Sequence, residues 1–169
     1  MVPFASTGDF GYSERDLGPD RVEVTYRGAA VPVSPIDSRN DPKTQAELDK
    51  SHDLALWRAA QIAAARNKAG LKIENETHNS DVTVHNRTYY RPSPFYDPFY
   101  DPFWPHHRPF PPFYDDDPPI PETIQTATAR AEEKLTVTFY DAFDAKAEGM
   151  LSTSDTLARM QAIRGSSFY

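Results

Sequence analysis

Few side chains in this sequence are spaced for chemistry. His106 and His107 stand shortly before an acidic run, Asp115-Asp116-Asp117. Imidazole and carboxylate together can ligate a metal. Adjacent histidines point in different directions, however, and no third ligand follows at helical or hairpin spacing. The group reads as a solvated polar tip, so no metal site and no cofactor is expected. His52 falls on the apolar face of a helical stretch and reads as a hydrogen-bonded core or boundary residue. Arg58 could hold a carboxylate or phosphate ligand, or clamp an Asp or Glu of its own fold; the clamp is the favoured reading. Asn75-Glu76-Thr77 and Asn86-Arg87-Thr88 fit the glycosylation acceptor pattern, which arises readily by chance, and read as polar strand ends. There is no glycine-rich phosphate loop, nucleophile elbow or HExxH. The chain reads as non-enzymatic, with no catalytic residues to name. An enzyme whose site is assembled from distant residues stays open as an alternative.

The residues with the clearest spacing are suited to contact. Pro94 to Asp101 read PFYD-PFYD, the pattern continues as PFWP at Pro102 to Pro105, and PFYD returns at Pro112 to Asp115. Half of the aromatic residues fall between Tyr89 and Tyr114, among prolines that bar a regular helix or a central strand. Globular proteins normally spend aromatics on the core. Asp97-Pro98-Phe99-Tyr100 and Asp101-Pro102-Phe103-Trp104 each match a type I turn. Aromatics held by proline lose little entropy on docking and make good anchors. A four-residue period does not match the three-residue turn of polyproline II, so one straight aromatic stripe is not expected. The expected partner-binding residues are Phe95, Tyr96, Phe99, Tyr100, Phe103, Trp104, Phe113 and Tyr114. The competing reading is a loop folded back over the chain's own sheet.

Composition bounds the rest. A chain of 169 residues with 38% hydrophobic residues and 16 prolines allows one modest core and a substantial irregular part. A net charge of -7 argues against nucleic acid as a partner and against electrostatic docking on anionic lipid. The absence of cysteine rules out disulfides, thiolate metal sites and a cysteine nucleophile. No run reaches the length of a transmembrane helix. After Met1-Val2-Pro3 the chain lacks the basic start and apolar core of a signal peptide. The expectation is either a cytosolic protein or a mature form whose leader is gone.

These residues need elements to position them. Residues 1 to 10 read as a tether. Gly11 to Arg15 and Arg21 to Arg27 read as a hairpin, with Val22, Val24 and Tyr26 alternating against Glu23, Thr25 and Arg27. Gly28 to Asn40 reads as loop. Asp41-Pro42 starts a long helix, 42 to 69, with Gly70 as its left-handed stop. Leu48, His52, Ala55, Leu56, Ala59, Ile62 and Ala63 share its apolar face, while Leu54 and Trp57 lie outside it on a second contact. Leu71 to Asn75 and Asp81 to Tyr90 read as two strands around an Asn79-Ser80-Asp81 turn. Thr123 to Thr128 and Leu135 to Asp141 read as two more. Thr153 to Arg164 reads as a short helix, with Ser152 and Asp155 placed for a capping box. The fold class is therefore α+β: an antiparallel sheet of about four to five strands packed by one long helix, and a short C-terminal helix. Residues 11–90 and 122–169 form one domain, with the Pro/aromatic-rich insertion, 91–121, between two strands.

Several pieces together resemble a family of small alphaproteobacterial envelope lipoproteins. They are Gly11-Tyr12-Ser13-Glu14, the strand Arg21-Val22-Glu23-Val24-Thr25-Tyr26-Arg27 with Gly28, the helical Leu56-Trp57-Arg58-Ala59-Ala60-Gln61, and the strand end Tyr140-Asp141-Ala142. The resemblance covers roughly residues 10 to 75 well and 122 to 142 loosely. It implies a periplasm-facing ectodomain anchored to the outer membrane through a lipidated cysteine on a precursor. The cysteine is absent from this chain, a departure from the pattern. The resemblance supplies no reaction and no catalytic residues. The expected function is that of an accessory or scaffold subunit of a larger envelope protein assembly, contacted through the aromatic insertion. Self-association into a homo-oligomer is left open. The alternative is a glycan-binding module whose aromatics stack on peptidoglycan or polysaccharide sugars.

Overall fold

A computed structural model describes residues 2–91 and 120–166, and the side chains of 2–90 and 121–163. Among them the chain is α+β. In order it forms α1 (Phe4–Thr7), β1 (Gly11–Gly18), β2 (Arg21–Arg27), β3 (Val31–Val33), α2 (Pro42–Ala65), β4 (Gly70–Arg91), β5 (Ile120–Tyr140), β6 (Met150–Ser152) and α3 (Thr153–Ser166). The six strands make one sheet in the order β1-β2-β5-β4-β6, with β3 pairing β5 off this path. The β1–β2, β2–β5, β3–β5 and β4–β6 pairings are antiparallel. The chain divides into two compact units, Met1–Val84 with Ala127–Tyr169, and His85–Thr126.

In the larger unit, alternation along β2 and β5 decides what is buried. Val22 and Val24 of β2 are fully buried, opposite Val137 and Leu135 of β5. The inward row of β5 runs Ala127, Ala129, Ala131, Glu133, Leu135, Val137, Phe139, each buried, in the period of two that a strand imposes. A carboxylate thus occupies one position in an otherwise apolar row. The core cluster adds Ala55, Leu56, Trp57, Ala59, Ala60, Ile62 and Ala63 of α2, Leu71 of β4 and Met160 of α3. Trp57, expected outside the apolar face of α2, is buried in this cluster, and Leu54 packs against it. The second contact of α2 is made within the chain, since α3 packs on α2.

Local chemistry explains the helix ends. Asp41 caps α2: Oδ1 accepts from Lys43 N at 2.9 Å, and Oδ2 accepts from Ser34 N at 2.9 Å. These two backbone donors stabilise the carboxylate and lower its pKa. The helix ends at Ala65 and not near Lys68, and the left-handed residue is Asn67 (φ 55°) in place of Gly70. Lys68 N donates to Ala63 O and Asn67 N to Ala64 O, the paired bonds of a Schellman motif, and asparagine tolerates its left-handed position. Gly70 instead begins β4. At the C-terminal helix, Ser152 Oγ accepts from Asp155 N at 3.3 Å, the forward half of the expected capping box.

Two further expectations are corrected. β4 does not turn at Asn79-Ser80-Asp81 but continues from Gly70 to Arg91, and β5 likewise runs unbroken from Ile120 to Tyr140. Asn, Ser and Asp favour turns in isolation. Here the residues are largely solvent-facing and beside a long neighbouring strand, so pairing overrides their local preference. Within Gly28 to Asn40, Val31–Val33 forms β3, pairing with Ala127–Ala129.

Candidate functional site

The eight aromatic residues expected to contact a partner, from Phe95 to Tyr114, lie outside the described residues, as do His106, His107 and Asp115 to Asp117. Arg58 is a clamp within the fold. Its Nε and Nη2 both donate to Glu14 Oε1, at 2.9 and 2.7 Å, and Nη1 donates to Gln61 Oε1 at 2.9 Å. The guanidinium also lies over the Tyr12 ring, 4.5 Å from its centroid.

The structure brings together a different set. One turn of α2 supplies His52, β4 supplies Glu76 and β5 supplies Glu133. Their ligand-capable atoms all lie within 4.8 Å of one another. The group lines an open cleft of about 480 Å³ in the larger unit, shared with Gln45, Leu48, Asp49 and Asp53 of α2 and His78 of β4. Each placement has a simple cause. His52 sits one residue from the buried Ser51, at the edge of the inward face of α2. Glu76 and His78 are two apart on a strand, and so share a face. Glu133 belongs to the inward row of β5, and its side chain is only 2% exposed.

His52 Nδ1 lies 3.0 Å from Glu76 Oε1 and 3.8 Å from Glu133 Oε1. These are ion-pair distances. Yet among the described residues neither His52 Nδ1 nor Glu133 Oε1, both buried atoms, has a hydrogen-bond partner in proper alignment. The atoms approach closely without a directed N–H···O bond.

The Glu133 carboxyl is pushed up from the ordinary carboxylate range to about 7. Burial is the main cause. The Glu76 charge raises it further, while His52 and His78 act against the shift. At neutral pH the cleft therefore holds a carboxyl poised between its two states, facing a second carboxylate and an imidazole. Such a set can share and pass a proton, or present one nitrogen and two oxygens to a cation.

Reading the sequence missed this group because its members are far apart and match no motif. A signal existed for Glu133: the alternation Leu135, Val137, Phe139, carried back one step, puts Glu133 on the same face. His52, read as a core or boundary histidine, is half-buried at the cleft wall.

In comparisons with protein-family models, with curated proteins and with solved structures, nothing matches this chain. Among the described residues no helix is long and apolar enough to cross a membrane.

Proposed function

We propose that the chain is a non-enzymatic ectodomain of an envelope lipoprotein. It acts as an accessory or scaffold subunit that docks on a partner protein through its Pro/aromatic segment. In this reading α2 lies along one face of the sheet as the rigid base. The segment is the contact, anchored by Phe95, Tyr96, Phe99, Tyr100, Phe103, Trp104, Phe113 and Tyr114. Periplasmic location and outer-membrane attachment through the precursor rest on the resemblance to envelope lipoproteins.

One observation carries the reading. The parts of β4 and β5 that lead into and out of the segment, residues 85–90 and 121–126, are exposed at every position. Alternate residues of a strand face opposite ways, so among the described residues neither face of this ribbon is covered. Thr88 and Thr123 meet across it at 3.4 Å, and Arg87 lies over the Tyr89 ring. Tyr90 is 70% exposed, and Tyr89 and Ile124 are also well exposed. A two-stranded ribbon is marginal alone and gains most from a surface to lie on. Apolar and aromatic side chains on its strands favour a protein surface as that occupant.

The test is photo-crosslinking in living cells from a reactive residue at position 103, with mass spectrometry of the adducts. One discrete protein adduct, lost in a triple F99S/F103S/W104S variant with an intact fold, is the expected result. Adducts confined to peptidoglycan would move the assignment to glycan binding. Crosslinks confined to the chain itself would overturn docking through this segment.

A further inference from the structure

We propose that His52, Glu76 and Glu133 form a binding site for one divalent first-row transition-metal ion of the zinc type, a role independent of docking through the Pro/aromatic segment. Three observations carry it. The donor set is right: one imidazole nitrogen and carboxylate oxygens suit zinc and its neighbours better than magnesium or calcium, which prefer all-oxygen sites. The spacing of both carboxylates from His52 is right as well. With bonds of about 2.0–2.2 Å, ligand atoms around one ion sit roughly 3–4 Å apart. His52 Nδ1 stands 3.0 Å from one carboxylate oxygen and 3.8 Å from the other.

The third observation is the unmet polarity. Glu133 is buried in an apolar row, its Oε1 lacks a hydrogen-bond partner, and it lines the cleft. His52 Nδ1 also lacks a partner although two carboxylates approach it. Buried polar atoms are usually satisfied, and a cation between them would satisfy both at once. The three ligands come from three elements, so their separation is held by packing rather than by one loop. His78 lines the same cleft from the strand position two beyond Glu76. The open side of the cleft leaves the remaining coordination positions to water or a small ligand.

The experiment uses the full chain stripped with a chelator and then titrated with Zn²⁺ in competition with a chromophoric chelator. One ion per chain is expected, bound in the micromolar range or tighter. The isosteric E133Q and the H52A variant should each weaken binding by about tenfold or more. H106A/H107A should leave it unchanged. NMR of the imidazole resonances of the unmutated protein guards against a variant that fails to fold: Zn²⁺ should move the His52 signals first. Absence of binding at about 100 μM Zn²⁺ overturns the site. So does full affinity in E133Q, loss in H106A/H107A, or a His52 signal that Zn²⁺ leaves in place.

Discussion

Arg58 and Glu14, 44 residues apart in sequence, meet through two donors on a single carboxylate oxygen, at 2.9 and 2.7 Å. The contact ties the middle of α2 to the β1–β2 hairpin. At the C-cap of α2, Arg66 repeats the theme, pairing with Asp16 and donating to Pro19 O at 3.0 Å. Lys68 then joins Asp20 and Asp141. The hairpin is therefore held to the helix by a row of partly exposed charges as well as by Val22 and Val24 underneath.

Partly exposed pairs contribute little each, but Arg58 also covers Tyr12 and bonds Gln61. R58A should cost about 1–2 kcal/mol in urea unfolding, whereas E14Q should cost less than about 1 kcal/mol. R58K should recover little, because an ammonium cannot reproduce the guanidinium's forked bonds and stacking. A double-mutant cycle gives the coupling, expected below about 1 kcal/mol for R58A with E14Q.

Glu133 makes metal-free stability fall as pH rises. Its folded pKa is about 7, against an ordinary 4.5. Between those values the folded state binds more protons than the unfolded one, so its contribution is fully present below 4.5 and lost as pH rises through 7. The groups facing it are His52, Asp49 and Asp53 of α2 and Glu76 and His78 of β4. Chelator-treated protein should lose about 1–3 kcal/mol attributable to this carboxyl between pH 5 and 8. E133Q should flatten that slope and exceed the parent in stability at pH 8. Thermal melts across the range measure it, and an equal slope in E133Q would sink the assignment.

Gly11 carries a conformation closed to other residues. Its φ is 127°, and a Cβ built there would lie 2.4 Å from Val2 O. Tyr12 N also donates to Val2 O at 3.2 Å, so the N-terminal segment rests on this point of β1. G11A should detach residues 2 to 10 and cost about 1–3 kcal/mol. Hydrogen exchange should rise at Tyr12 and across α1 while β2 and β5 keep their protection.

Replacing residues 92–119 by Asn-Gly should leave the larger unit as stable as the parent within about 1 kcal/mol, since a two-residue turn suits a hairpin and the core cluster lies elsewhere. Circular dichroism and denaturant unfolding test this. A collapse of the cooperative transition would mean that the segment belongs to the fold.

Parts of the fold were legible where one local rule governed. Asp41-Pro42 marked a helix start because capping is chemistry between near neighbours. Val22–Val24 and Leu135–Phe139 marked strands because alternation is visible over a few residues. The helix stop was misplaced because both Asn67 and Gly70 can adopt left-handed backbone, and only the bonds back to Ala63 and Ala64 choose between them. The unbroken course of β4 was hidden because Asn79-Ser80-Asp81 has turn chemistry, and its neighbouring strand is far away in sequence. The cleft was least legible. Glu76 and Glu133 come together through sheet order and His52 meets them from α2, which no sequence spacing encodes.

β4 and β5 are neighbours in the sheet, so the Pro/aromatic segment enters and leaves through adjoining strands. Each doubling in the length of a connection costs only about 0.6 kcal/mol in closure entropy. A unit such as PFYD can then be duplicated, lost or rewritten between these strands with little penalty to the apolar row beneath. Natural selection can thus rewrite the sequence between these strands while the buried residues of the larger unit stay fixed. Across related chains, repeat number should vary far more than the residues at Val22, Leu135 and Val137.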